Sequence, residues 1–212
     1  MEMVKVIDHP LAGNALRTLR NRDTGIKDFR EAVHRLGLLL AVEVCKGLQT
    51  ERDSVITPLD LSADCFYVRD DRVMLVPVLR AGLGMVESFL TLLPSARVAH
   101  IGMYRDHDTL EARPYVNTLP EAIGEYERVM VLDPMLATGN SGAKALEFIT
   151  EKGYKNEQIT FICMLATETG IAQINKRFPG VEIYTAVIDP SLNDKAYIVP
   201  GLGDAGDRLY LL

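Results

Sequence analysis

Three stretches of this chain set a charged residue beside glycines at the end of an apolar run, the layout in which a backbone can close around an anion. The first is Arg128-Val-Met-Val-Leu-Asp-Pro-Met-Leu-Ala-Thr-Gly-Asn-Ser141. Val129 to Leu132 make an apolar run short enough for a strand buried on both faces. Asp133 follows at the carboxyl end of that strand, where open α/β sheets bind ligands. Thr138, Gly139 and Asn140 come next, with Ser141 as the predicted N-cap of a helix that runs through Ala143, Leu146 and Ile149 to a stop at Gly153. Free N–H groups at such a helix start attract phosphate, and Gly139 lets the backbone come close. Taken alone, the segment is equally compatible with an ordinary strand-turn-helix carrying a capping serine.

The second stretch, Val76-Pro-Val-Leu-Arg80-Ala-Gly-Leu-Gly84-Met, repeats the logic with the opposite charge. Arg80 stands at the strand end beside Gly82 and Gly84, where its forked guanidinium can clamp a pyrophosphate while turn amides donate to the same group. The local pattern also fits a plain surface arginine. The third stretch is Tyr197-Ile-Val-Pro-Gly-Leu-Gly-Asp-Ala-Gly-Asp-Arg208. Its Gly201-Leu-Gly203-Asp-Ala-Gly206 satisfies the dinucleotide pattern in letters and fails it in context, because no βαβ unit with a later acidic residue follows. A glycine-rich, proline-bounded loop carrying Asp204 and Asp207 suits wrapping a small polar ring with backbone groups.

Together these stretches resemble the type I phosphoribosyltransferases, which use 5-phosphoribosyl 1-pyrophosphate (PRPP), and in detail the uracil phosphoribosyltransferase family. The resemblance runs from His9-Pro-Leu to Gly-Asp-Arg208. It implies that Asp133, Pro134, Met135, Leu136, Ala137, Thr138, Gly139, Asn140 and Ser141 bind the ribose phosphate of PRPP, and that Arg80 and Arg105 bind its pyrophosphate. It places uracil on Ile198, Gly203, Asp204 and Ala205, with Asp204 also on the PRPP side; Asp204, Arg80 and Arg105 are the implied catalytic residues. Most type I members carry two adjacent acidic residues before the loop, whereas Pro134 follows Asp133 here. The expected magnesium is therefore held mainly through PRPP, with no metal ligand assigned to the chain. The family's usual Gly-Gly pair is Gly139-Asn140, a change expected to be tolerated because Asn accepts left-handed geometry best after Gly. GTP activates some members and is admitted as an allosteric ligand.

The elements that must position these residues are legible as periodicity. Leu11 to Asn21 reads as a short helix, and Phe29, Val33, Leu36 and Leu40 mark a longer one ending near Gly47. Strand Val73 to Leu79, helix Leu83 to Leu93, strand Val98 to Met103, strand Val129 to Leu132 and its helix, strand Ile159 to Leu165, helix Ile171 to Phe178 and strand Ile183 to Ile188 follow in alternation. That predicts an α/β fold, a mostly parallel twisted sheet with helices on both faces, preceded by N-terminal helices. Tyr104 to Tyr126, with Pro114 and Pro120, is long for a connection and reads as a lid or hairpin insertion in which His107 and Asp108 face solvent.

With 212 residues, 48% of them hydrophobic and 25% charged, the chain fits one domain over residues 1–212. No run approaches the roughly 20 apolar residues of a membrane span and no signal pattern opens the chain, so a cytoplasmic protein without membrane partners is expected. A net charge of −6 and a pI near 5.3 argue against a nucleic-acid partner. They also demand local countercharge at any site for a sugar phosphate. Cys45, Cys65 and Cys163 form no Cys-x-x-Cys pair, and no nucleophile elbow, nucleotide loop or His-Glu-x-x-His site occurs. The partners expected are uracil and PRPP, with a homo-oligomer, dimer or tetramer, assembled through the N-terminal helices. Three rival readings are an RNA-binding regulator on the same scaffold, transfer to another base such as orotate or a purine, and a dinucleotide oxidoreductase.

Overall fold

Residues 4–105 and 112–211 are described by a computed structural model of the chain. Strand β1 (Val4–Val6) leads into helices α1 (Pro10–Arg20) and α2 (Ile26–Cys45), then a hairpin of β2 (Thr50–Ile56) and β3 (Ser62–Val68). Next come β4 (Val73–Leu79), α3 (Leu83–Leu90), β5 (Arg97–Val98), β6 (Ile101–Arg105) and β7 (Ala112–Asn117). They are followed by β8 (Arg128–Leu132), β9 (Met135–Leu136), α4 (Asn140–Glu151), β10 (Ile159–Ile162), β11 (Leu165–Thr167) and α5 (Glu168–Arg177). The chain closes with β12 (Glu182–Thr185), β13 (Val187–Asp189), β14 (Ser191–Leu192), β15 (Ile198–Val199) and α6 (Ala205–Tyr210).

The main sheet has the order β1-β12-β10-β8-β4-β6-β7, parallel throughout except at β7. Successive side chains of a strand face opposite ways, and the two cores divide accordingly. Val73, Leu75, Met130 and Leu132 pack with α1, α2, α3 and α6, whereas Met74, Val76, Val129 and Val131 pack with α4 and α5. A parallel sheet covered on both faces needs strands that are apolar at every position, and β4 and β8 are. Pro77 has no amide to give, yet lies in the central strand β4. It falls opposite the break between β5 and β6, whose registers end at Leu75↔Val98 and resume at Val78↔Ile101.

The predicted α/β architecture with helices on both faces is the observed one, and several expected elements differ in detail. The strands expected at 98–103, 159–165 and 183–188 are each interrupted. In two of them the cause is a shared bend: Met164 and Leu165 both donate their amides to the Pro134 carbonyl, at 3.0 and 3.1 Å, and Ala186 donates to Met164 at 3.1 Å. One carbonyl that takes two successive donors makes a bulge. Beyond it the three chains re-pair as a second parallel sheet, β13-β11-β9. The helix expected to reach Leu93 stops at Leu90.

The segment 104–126, expected as a lid or hairpin insertion, is not one uniform insertion. β6 and β7 form an antiparallel hairpin, but Leu119 and Tyr126 are buried, and Ala122 donates to the Lys152 carbonyl at 2.8 Å. The second half of the segment is therefore part of the body of the molecule. His107 and Asp108 lie outside the described residues. β1 and the β2–β3 hairpin were not expected, because β1 is only three residues long and the hairpin is mostly exposed, which leaves no buried face to write a period.

Phe161 is fully buried in β10 against Gly142 of α4. Phe161→Ala is expected to lower stability by about 3–5 kcal/mol, the cost of a large aromatic deletion in a close-packed core. Urea unfolding followed by far-UV circular dichroism would measure it, and a loss below about 1 kcal/mol would mean that the site collapses around the missing ring.

Candidate active site

Parallel strands deliver their carboxyl ends to one edge, and the three predicted stretches converge there. Pro77 pairs with Leu132 and Leu79 with Gly102, so β4 carries Arg80 between Asp133 at the end of β8 and Arg105 at the end of β6. Of Arg105 only the backbone is described. Arg80 is exposed, and its guanidinium takes no ion-pair or hydrogen-bond partner among the described residues. The Leu79–Arg80 peptide is cis. The following turn folds back along the sheet, with Gly82 donating to the Val78 carbonyl at 2.9 Å. A side chain at Gly82 would fall on the carbonyl of Leu132, so only glycine lets the turn lie this close to β8.

Asp133 keeps a partly exposed surface, yet its carboxyl sits deep among protein atoms and accepts only a long bond of 3.4 Å from the Met135 amide. Burial disfavours the charged form and pushes its pKa up to about 7, slightly offset by that amide. Among the described residues no group of three or more His, Cys, Asp or Glu could hold a metal ion.

The expected cap at Ser141 is corrected. Gly139 caps α4 with φ of 83°, its carbonyl accepting from Ala143 at 2.8 Å, and Ser141 lies one position inside the helix. The turn needs the left-handed region at Gly139, which any L side chain resists. Asn140 is therefore the first helical residue and never enters left-handed geometry, so the departure from Gly-Gly is accommodated for a different reason than expected. Its side-chain oxygen accepts from Gln173 of α5 at 2.9 Å. The first amides of α4 have no partner inside the helix, and Asn140 N–H has only a 3.4 Å contact to the Thr138 hydroxyl. They form an electropositive rim that can receive a phosphate.

Two residues hold this loop that periodicity did not expose. The buried Thr167 hydroxyl donates to the Ala137 carbonyl at 2.6 Å and accepts from the Gly170 amide at 3.1 Å, joining the loop to the start of α5. Gly170 lies so close that a Cβ there would sit 2.5 Å from the Ala137 carbonyl oxygen. Thr-x-x-Gly directly after an apolar run was the available signal for this cap.

The third stretch reaches the same edge from the other end of the chain. β15 pairs with β14, the Val199–Pro200 peptide is cis, and Gly201 and Gly203 have φ of 61° and 84°. Asp204 caps α6, its Oδ1 accepting from the Asp207 amide at 3.0 Å, with its other oxygen outside that cap. A Cβ on Gly206 would come within 4.0 Å of Ala81 Cβ, so this loop runs alongside the turn that follows Arg80. The glycine run does open a helix, but one of only six residues, unlike a dinucleotide site.

Two of the three cysteines are poor nucleophiles. Burial pushes the Cys163 thiol up to about 12 and the Cys45 thiol up to about 11. His34 Nδ1 lies 3.1 Å from the buried Ser88 hydroxyl, which also donates to the His34 carbonyl, so both groups serve the α2–α3 contact.

Comparison with known proteins agrees with this layout. A family model described as uracil phosphoribosyltransferase matches residues 6–211. A curated uracil phosphoribosyltransferase from Clostridium kluyveri is 49% identical over 210 residues, covering 99% of both chains. The solved structure of the AQ2163 protein from Aquifex aeolicus is similar at 36% identity with a TM-score of 0.90, covering 99% of this chain and 98% of that one. A hypoxanthine-guanine phosphoribosyltransferase from Bacillus anthracis shares the fold alone, at 11% identity and a TM-score of 0.50, over 77% of this chain and 80% of that one.

The raised pKa of Asp133 has a thermodynamic consequence. The folded chain binds this proton more tightly than the unfolded chain, where the pKa is near 4, so stability is highest below about pH 4 and falls as pH rises towards 7. Asp133→Asn removes that fall. The variant's stability relative to the parent is expected to rise by about 1–3 kcal/mol between pH 4.5 and 8, less than the ~4 kcal/mol of full burial because the residue is partly open to water. Urea titrations at the two pH values would measure it, and an unchanged difference would show that the Asp133 carboxyl is well solvated.

Proposed function

The chain belongs to the uracil phosphoribosyltransferase family, and from that premise we propose that it joins uracil to PRPP, giving UMP and pyrophosphate in pyrimidine salvage, with the three convergent loops as its active site. The observation that carries the residue assignment is the meeting, at one sheet edge, of an unpartnered arginine, a helix N-terminus and a backbone-lined loop. Each has the chemistry of one part of the substrates.

Departure of pyrophosphate from the anomeric carbon builds oxocarbenium character on the ribose, as in glycoside cleavage. The demand on the protein is to neutralise the leaving group and to keep the incoming nitrogen in line. Arg80 and Arg105, on neighbouring strands, flank the pyrophosphate, and the amides of Thr138 to Ser141 at the start of α4 hold the 5′-phosphate. Asp133 accepts from the ribose hydroxyls, and near neutral pH its carboxyl is poised between its two protonation states. The oxygen of Asp204 outside the helix cap faces the junction of base and sugar.

Uracil displays carbonyl acceptors and an N–H donor along one edge, which the N–H and C=O groups of Ile198, Gly203, Asp204 and Ala205 can match without side chains. Cytosine would set an amino donor against a backbone donor, and one lost buried hydrogen bond costs about 1–3 kcal/mol. With Asp133 followed by Pro134, a magnesium ion would be held mainly through PRPP, with Asp133 as the nearby carboxylate, and would supply positive charge against the pyrophosphate. The β6–β7 hairpin is the segment that covers PRPP and excludes water. GTP is the effector to test as an activator in the same assay.

We further propose a homo-oligomer, and the hairpin of β2 and β3 directs attention away from the N-terminal helices. It exposes Ile56, Leu59 and Phe66 at 72%, 79% and 70%, a set of apolar residues that a second copy of the chain would cover. Phe66→Glu is expected to shift an assembly towards monomer in light scattering. An unchanged mass would move the interface elsewhere.

The central test is incubation with PRPP and magnesium plus uracil, cytosine, orotate, hypoxanthine or xanthine separately, with nucleotide products separated by chromatography. UMP from uracil alone is expected. Product from another base would overturn the loop assignment, and salt-dependent RNA binding without product would favour the regulator.

A further inference from the structure

The base-recognition loop is glycine-rich and bounded by proline, yet its first glycine is fixed on both sides by one ion pair whose carboxylate is buried. Asp189, at the end of β13, is 2% exposed. Its Oδ1 lies 2.6 Å from Arg20 Nη2 and its Oδ2 2.9 Å from Arg20 Nη1, a two-pronged pairing with the last residue of α1. The same Oδ2 accepts from the Gly201 amide at 3.0 Å, and the same Nη1 donates to the Gly201 carbonyl at 3.0 Å. The peptide groups on either side of Gly201 are thus each held by one member of the pair. Gly201 itself admits no side chain, since a Cβ would fall on the Ile198 carbonyl.

From the other side, Arg208 donates to the Leu202 carbonyl at 2.9 Å, the Asn21 carbonyl at 2.8 Å and the Leu19 carbonyl, with its cation 4.2 Å from the centre of the Phe29 ring. The end of α1 and the loop are stitched together immediately before Gly203, Asp204 and Ala205.

We propose that Arg20 and Asp189 are positioning residues for uracil: they touch no substrate, and they set the backbone groups that read the base. The inference rests on the uracil reading above. The phosphate rim of α4 and Arg80 are held by different contacts, through Thr167 and Gly82. Loss of the pair therefore misplaces the uracil site and leaves the main PRPP anchors in place, Asp204 being the one PRPP contact on the displaced loop. Lysine can replace Arg20 only in part, because a single ammonium cannot reproduce a planar fork that serves both carboxylate oxygens and a carbonyl.

The test measures KM for uracil and for PRPP, with kcat and melting temperature, in the full chain and in Arg20→Lys, Arg20→Gln and Asp189→Asn. Removing Arg20 alone strands the buried Asp189 carboxylate, so a paired replacement, Arg20→Met with Asp189→Leu, is made as well. The expected result is a uracil KM raised tenfold or more in the Gln, Asn and paired variants, less in the Lys variant, with the PRPP KM within twofold of the parent. Equal rises in both KM values, or an unchanged uracil KM in a folded variant, would overturn the proposal. A parent chain that forms no UMP would instead overturn the function on which it rests.

Discussion

The constraint on which the site depends is the bend that three parallel strands take at Pro134. A proline cannot donate to a neighbouring strand, and its carbonyl collects the amides of both Met164 and Leu165. Where β8, β10 and β12 would have ended, they turn together and continue as β9, β11 and β13. The second sheet is short, but each strand delivers one fixed point of the site. β9 leads into the loop before α4, β11 ends on Thr167, which holds that loop at Ala137, and β13 ends on Asp189, which holds the loop at Gly201. Placing these anchors on paired strands rather than free loops gives the precision that binding a multiply charged substrate requires.

That substrate sets an electrostatic problem for a chain of net charge −6. The structure resolves it locally. Arg80 is left without a partner among the described residues while most other arginines are spent in ion pairs or on carbonyls, and the amides at the start of α4 add partial positive charge without a countercharged side chain. Asp133, which lies beside them, is pushed by burial towards its neutral form. An uncharged carboxyl beside a phosphate site reduces the repulsion that the free protein would otherwise present to an incoming anion. The same burial is a stability cost borne by the folded chain, of the kind common where function and stability compete.

The parts of this arrangement that were legible in the sequence are those written in consecutive residues. The run Val73 to Leu79 and the run Val129 to Leu132 announce buried parallel strands because both faces must be apolar, and the residues that follow them announce what the strand ends carry. The pairing of Arg20 with Asp189 was not legible, because it joins positions at opposite ends of the chain and neither lies in a glycine pattern. One hint was present: Asp189-Pro190 ends an apolar strand as Asp133-Pro134 does. The misplaced cap at Ser141 has a similar origin. Residue preference favours serine at an N-cap, but the backbone had already committed Gly139 to positive φ, and geometry outranks preference. Strand breaks at Cys163 and Ala186 depend on a bulge made by a distant carbonyl, which no local period records.

A loop that reads a base with its own backbone faces a particular difficulty. Glycines permit the positive φ values that such a loop needs, as at Gly201 and Gly203, but glycine also loses the most conformational freedom on ordering. Selectivity between uracil and cytosine depends on one donor meeting one acceptor, so a loop free to rotate a peptide group could satisfy either base. Rigidity must then come from outside the loop. The clamp of Arg20 and Asp189 on one side and Arg208 on the other supplies it by joining the end of α1 to the last turn of the chain. On the proposed reading this gives the N-terminal helix a reason to pack beside the C-terminal segment that assembly alone would not require: the end of α1 holds the loop assigned to the base.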